Sequence, residues 1–205
     1  MVSTIQLAGQ STLRRVQRIQ TITIVWMSVE TGISLLAACM ARSPALLAFG
    51  GDSAVELLSA AVVLWRFRVL NMEGEAERRA SRIAGVLLFA LAGFVAAVSA
   101  MSLLGHSSPR PTLLGIVILI AAATVMPWLA KEKRKLSAAT GSAALRADAA
   151  QSGLCAYLSL IALIGLTVNS VWHVTWADPV AALAITPLIC WEGKEAIRGK
   201  ACGCC

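Results

Sequence analysis

Apolar stretches of about 20 residues, the length an α-helix needs to cross a hydrocarbon layer roughly 30 Å thick, recur along nearly this whole chain. They fall at 19–41, 45–67, 83–104, 112–130, 142–169 and 177–192. In lipid, a helix is the form such segments take, because it pairs every backbone N–H and C=O within the segment itself. The expected fold is an all-α integral membrane protein of six transmembrane helices. Composition agrees: 58% of the residues are hydrophobic and 14% charged, with a mean hydropathy of +0.74, far from a typical soluble domain. The chain then divides into an N-terminal segment 1–18, a membrane domain 19–193 and a tail 194–205, with no length left for a separate soluble domain. The first span follows a basic segment (Arg14, Arg15, Arg18) and no small-residue cleavage site comes after it. It is expected to be a retained helix and not a signal peptide.

Charge sets the orientation. The segments 1–18, 66–82, 131–146 and 194–205 hold all the Lys and Arg except Arg42 and Arg110, so the positive-inside rule places both termini in the cytoplasm. Lying directly beside helix ends, these basic clusters read as topology signals that touch anionic lipid, and no nucleic-acid partner is expected. "ARSPA" and "GHSSPRP" are outward turns, whereas "NMEGEAERRASR" and "KEKRKLSAATGSAALRAD" are longer charged connections on the cytoplasmic side. The second of these is expected to continue as helix, because no proline falls between Ser142 and Asn169.

Against this apolar background, "GGDSAVELLSAAVVLWRFR" carries Asp52 and Glu56 one helical turn apart, and Glu30 lies deep in the first span. An ionised Asp at the centre of a membrane helix costs about 2.5 to 3.5 kcal/mol on insertion scales, so such groups face a cavity or a partner. In "LRADAAQSGLCAYLSL", Gln151 and Cys155 are also one turn apart, and Asp148 can share their face. Asp52, Glu56, Gln151 and Cys155 together offer a four-cornered set of oxygen and sulfur donors. Tetrahedral coordination by carboxylate, thiolate and a neutral donor suits Zn²⁺, and sulfur tilts the preference toward thiophilic ions such as Cd²⁺. A structural reading competes: neutral carboxyls and Gln151 as interhelical hydrogen-bonders, with Cys155 as a small buried hydrophobe.

"SPALLAFGGDSAVELLSAAVVLW" resembles the second helix of the cation diffusion facilitators, in which two metal-binding acidic or histidine residues stand four apart; Asp52 and Glu56 occupy those places. "RADAAQSGLC" resembles that family's fifth-helix motif, where a histidine and an aspartate four apart follow an Arg-Ala-Asp lead-in; Gln151 and Cys155 stand there instead. "WADPVAALAI" is similar to the opening of the sixth helix, and "TIVWMSVETGISLLAA" and "WEGKEAIRG" are similar to a short bacterial branch of cation transporters. The resemblance spans all six helices. It implies a multi-pass protein of the bacterial inner membrane that exports divalent metal in exchange for protons, with no permanent cofactor.

Three departures from the pattern bear on mechanism. An amide cannot titrate, so with Gln151 in the histidine position, proton coupling falls to Asp52, Glu56 and Cys155, whose protons metal binding would displace. Only about a dozen residues follow the last span, so the family's usual cytoplasmic C-terminal domain is expected to be missing; the resemblance then favours a homodimer through the membrane helices, the third of which, "IAGVLLFALAGFVAAVSAMSLL", is rich in small residues. The tail "GKACGCC" crowds Cys202, Cys204 and Cys205 on the cytoplasmic side, where thiols stay reduced. They read as a metal-capture arm favouring soft cations, Hg²⁺ and Pb²⁺ among them, or as lipidated or idle cysteines.

The remaining polar and aromatic residues take supporting roles. Asp148 and Glu30 are accessory candidates on the ion or proton path, Asp148 alternatively pairing with Arg146, and Asp178 is positioned to cap the sixth helix. His106 and His173 fall in outward connections, where a solvated histidine is the ordinary case. Trp65, Trp128, Trp172, Trp176 and Trp191 read as an interfacial belt, and Pro127 and Pro187 as bends in the fourth and sixth helices. No Walker-type phosphate loop is present, so neither ATP-driven pumping nor any enzymatic activity is expected. Two functions follow from these residues: a secondary transporter of divalent metal, or a non-transporting metal receptor that hands its ion to a partner.

Overall fold

The computed structural model describes residues 2–68, 74–105, 109–110, 112–141 and 143–198. Six helices account for almost all of them: α1 (Val2–Ala41), α2 (Pro44–Arg68), α3 (Gly74–Leu103), α4 (Leu113–Thr140), α5 (Ala143–Trp172) and α6 (Ala177–Arg198). Among the described residues there is no strand. Five helices, all but α6, are long and apolar enough to cross a membrane. In α6 the limit is charge and not length, because its 22 residues rise about 33 Å but include Asp178, Glu192, Lys194 and Glu195.

Polarity is distributed as lipid dictates. Val25, Phe94, Leu113 and Ile164 are exposed, whereas Glu30, Asp52, Glu56, Lys133, Asp148, Asp178 and Glu192 are buried. A water-soluble bundle reverses this arrangement. The chain is an all-α membrane protein, and Trp65, Trp128, Trp172, Trp176 and Trp191 are exposed on its surface.

Chain order builds the bundle from adjacent pairs. α1 packs on α2 and α4 on α5, while α3 pairs with α6, and the central α2 touches α1, α3, α5 and α6. Arg42, with φ 52°, makes the tight turn between α1 and α2. Ser43 caps α2, its Oγ accepting the Leu46 N–H at 3.1 Å and donating to Asp178 Oδ1 at 2.6 Å. Asp178 therefore supports the start of α2, where the sequence reading had it capping its own helix.

The helices extend beyond the apolar spans. α1 takes in the basic segment, where Arg14, Arg15 and Arg18 are exposed. α4 runs through "KEKRKLSAAT" and stops only at Gly141, whose φ of 65° provides a left-handed C-cap. The charged connection expected at 131–146 is thus mostly helix, because Lys, Glu, Arg, Leu and Ala are strong helix formers and nothing interrupts them before the glycine. Both α4 and α6 also stay helical through their prolines, Pro127 and Pro187.

One contiguous apolar core, including Phe49, Leu88, Leu119, Met126, Leu158 and Ile185, joins α2 to α3, α4, α5 and α6, and Met27 adds α1. A smaller cluster of Val16, Val63, Leu136 and Leu145 ties α1, α2, α4 and α5 together near their basic ends. α3 and α6 meet at glycine: a Cβ on Gly85 would lie 2.6 Å from the Gly193 carbonyl oxygen, and one on Gly193 3.1 Å from that of Gly85. The small face of α3 is therefore used at least in part within the chain, against α6, as membrane helices do where backbones approach closely. Gly85→Leu is expected to separate α3 from α6 and destabilise the fold by about 1 to 3 kcal/mol. Its thermal unfolding midpoint in detergent should fall, while Gly93→Leu, where a Cβ would meet nothing within 4 Å, should leave the midpoint near that of the native chain.

Candidate functional site

The polar interior is assembled from single faces of α1, α2, α4, α5 and α6. On α5 the buried stripe is Asp148, Ser152, Cys155 and Ser159, a spacing of four, three and four residues that keeps one helical face inward. Gln151 lies at the edge of that stripe and is half-buried. α2 contributes Asp52, Ser53 and Glu56, and α1 contributes Gln20, Thr23, Glu30 and Ser34.

Three sets of contacts organise these groups. In the first, Lys133 Nζ on α4 is fully buried, 2.9 Å from Asp148 Oδ2 and 3.7 Å from Glu56 Oε1. It donates to Ser152 Oγ at 2.7 Å, and Ser152 donates in turn to Glu56 Oε1 at 2.5 Å. Gln20 Nε2 completes the set with a 2.7 Å bond to Asp148 Oδ2. Lys133 thereby joins α4 to α2 and α5, and Gln20 adds α1 through Asp148; among the described residues Glu56 Oε2 and Asp148 Oδ1 have no hydrogen-bond partner.

The second set surrounds Glu30. Its Oε2 accepts from Trp26 Nε1 at 2.5 Å, and its Oε1 accepts from Ser53 Oγ at 2.8 Å and from Cys155 Sγ at 3.6 Å. Ser53 Oγ also lies 3.9 Å from the thiol. In the third set, Glu192 on α6 is hydrogen-bonded to both Asp52 on α2 and Gln151 on α5. A hydrogen bond between two carboxyl groups needs a proton between them, because an ionised carboxylate only accepts. The Asp52–Glu192 contact can therefore form only when one of the two carboxyls carries a proton.

Asp52, Glu56, Gln151 and Cys155 thus lie on the two adjacent helices anticipated for them, but the structure assigns them to three different sets of partners. Among the described residues no three His, Cys, Asp or Glu side chains are gathered as a ready-made metal site. They still share an electrostatic neighbourhood: Glu30, Glu56 and Asp52 all act on Cys155. Asp148 finds its ionic partner in Lys133, and Arg146 is exposed. His173, with φ 53°, follows the end of α5 and is exposed. Cys202, Cys204, Cys205 and His106 lie outside the described residues.

Sequence reading passed over Lys133, Ser152 and Glu192. Lys133 was grouped with the topology charges of "KEKRK", yet the signal was present: Met126, Leu129, Ala130, Lys133, Leu136 and Ser137 form the buried face of α4 at helical spacing. Glu192 continues the buried face of α6 set by Ile185 and Ile189. Ser152 carried no such signal, since its contact with Glu56 depends on how α5 is rotated against α2.

Buried acids inside a lipid-facing helical bundle point to cation handling, and comparison with known families agrees. Residues 21–198 match the family model described as the cation efflux transmembrane domain. The chain belongs to the cation efflux family. A search of curated proteins finds no match. As a cation efflux domain the chain is a metal cation transporter, and its buried carboxylates lie inside the matched region.

The Lys133 set generates a stability prediction for this cation efflux domain. Removing one partner of a buried ion pair leaves the other charge uncompensated and costs about 3 to 5 kcal/mol. Lys133→Ala is expected to be destabilised on that scale in thermal unfolding. Adding Glu56→Gln and Asp148→Asn to it should recover most of the loss, because the stranded charges are then gone.

Proposed function

We propose that this cation efflux protein exports divalent thiophilic cations, Zn²⁺ and Cd²⁺ foremost, from the cytoplasm in exchange for protons. Asp52, Glu56, Gln151 and Cys155 serve as the moving site between α2 and α5. The observation that carries the reading is Asp52: it is 4% exposed, and its electrostatic neighbours Glu192, Glu56 and Glu30 are all acidic. Such a site attracts a cation and does not tolerate being left ionised and empty. Cys155 supplies the soft donor that favours Zn²⁺ and Cd²⁺ over Mg²⁺ or Ca²⁺.

Exchange with protons follows from the chemistry of the donors. Metal binding requires carboxylate and thiolate forms, so each cation bound displaces protons and each proton bound weakens the metal. A proton carried by Asp52 or Glu192 is among those the cation displaces. Protonation from the outer side expels the ion, and release of those protons on the cytoplasmic side restores the charge that captures the next one. Location in a bacterial inner membrane, and pairing of two copies through lipid-facing helices, belong to the same proposal.

The test uses the full chain in liposomes with an imposed pH gradient. Zn²⁺ and Cd²⁺ flux should follow the gradient, collapse when a protonophore removes it, and fall at least a hundredfold in Asp52→Ala. Binding to the detergent-solubilised protein should weaken as pH is lowered. Cys155→Ser should reduce the Cd²⁺ to Zn²⁺ flux ratio, since an oxygen donor replaces sulfur. Flux that ignores the gradient would overturn the antiport assignment.

A further inference from the structure

One of the two carboxylates in the donor set between α2 and α5 lies beside a lysine, and the structure brings a further carboxylate to the other. Of the four candidate donors, Gln151 is neutral and Glu56 already lies beside the ammonium of Lys133. Lys133 also neutralises Asp148, so within this network one cation faces two carboxylates. Asp52 has no ion pair with a lysine or arginine among the described residues, and its strongest electrostatic neighbours are Glu192, Glu56 and Glu30. Of the two carboxylates among the four donors, Glu56 shares Lys133 with Asp148, which leaves Asp52 as the one that no lysine in this network offsets.

Glu192 is the further carboxylate. It comes from α6, a helix outside the α2–α5 pair, and bonds to Asp52 and Gln151 at once. It therefore stands where those two helices present their donors. The side chain is 6% exposed, and among the described residues its buried Oε2 has no hydrogen-bond partner. An orphan carboxylate oxygen buried in an apolar bundle is costly unless something else engages it. The backbone that delivers it is held closely: Gly193, the next residue, packs against Gly85 and Leu88 of α3, where even a methyl group would crowd its neighbours. With this close packing α6 presents Glu192 from a rigid support, as a ligand position requires.

We infer that Glu192 is a cation ligand that acts with Asp52 and Gln151, making α6 a third wall of the transport site. The inference rests on the proposed function and deepens it. Asp52 and Glu192 supply two negative charges and Gln151 a neutral oxygen through its amide carbonyl, while Cys155, bonded to Glu30, lies one turn further along α5. Motion of α6 against α2 and α5 then changes the coordination directly.

The experiment is a calorimetric titration of the full chain in detergent with Zn²⁺ alone and with Cd²⁺ alone, comparing the native protein with Asp52→Ala, Glu192→Gln, Glu192→Cys and Glu195→Gln. Glu192→Gln should weaken Zn²⁺ binding about tenfold or more, while Glu195→Gln on the same helix should bind as the native chain does. Glu192→Cys exchanges an oxygen donor for sulfur. It should shift the Cd²⁺ to Zn²⁺ affinity ratio about tenfold toward Cd²⁺ and strengthen the ultraviolet thiolate-to-cadmium absorption, which a residue acting only in packing would not do. If both Glu192 variants bind like the native chain while Asp52→Ala loses binding, Glu192 is no ligand and the transport site stands without it. If the native chain shows no saturable binding, or Asp52→Ala binds as well as it does, the proposed site itself fails and this inference falls with it.

Discussion

A carboxylate inside a hydrocarbon slab needs a partner, and the interior of this bundle is arranged around that requirement. Lys133 meets it most directly. A single ammonium, with no exposure to solvent, reaches Asp148, Ser152 and Glu56, and through Gln20 the network extends to α1. Four of the six helices meet in this network. Hydrocarbon cannot solvate the alternatives, so the rotation of α4 and α5 is set by where Lys133 has to point. The apolar core fills the space that remains.

The same requirement separates two kinds of acid. Glu56 and Asp148 share the ammonium of Lys133, and Glu30 is satisfied by neutral donors from α1, α2 and α5. Asp52 and Glu192 face each other. An acid beside lysine ties helices together, whereas an acid that faces other acids favours a proton or another cation at its side. The lysine contacts join α2, α4 and α5, and Glu56, one of the carboxylates they reach, also belongs to the proposed moving site. The Gly85–Gly193 contact bears on Glu192, since close packing of α3 on α6 sets the position from which it reaches inward.

Much of the fold was legible in the sequence. The period and length of the apolar stretches mark all six helices, and the starts of α2 at Pro44 and α6 at Ala177 fall where turn residues and charge predict them. Asp52, Glu56 and Glu30 stand out because each interrupts an apolar run. Lys133 was hidden by its company: among five basic or acidic residues at a helix end, nothing local separates the one that turns inward. Glu192 was hidden by position, at the last residue assigned to a span. Asp178 was recognised as a cap, but the helix it supports, α2, could not be identified before the two ends met in space.

The sequence by itself determined that this chain crosses a membrane as a helical bundle with acids inside, because hydrophobic length and the cost of buried charge act residue by residue along the chain. It also placed candidate donors on α2 and α5. Which acid meets lysine, which meets thiol and which meets another acid was decided only by the tertiary structure. Those pairings depend on the rotation and approach of helices far apart in sequence, and packing of the whole bundle fixes both at once.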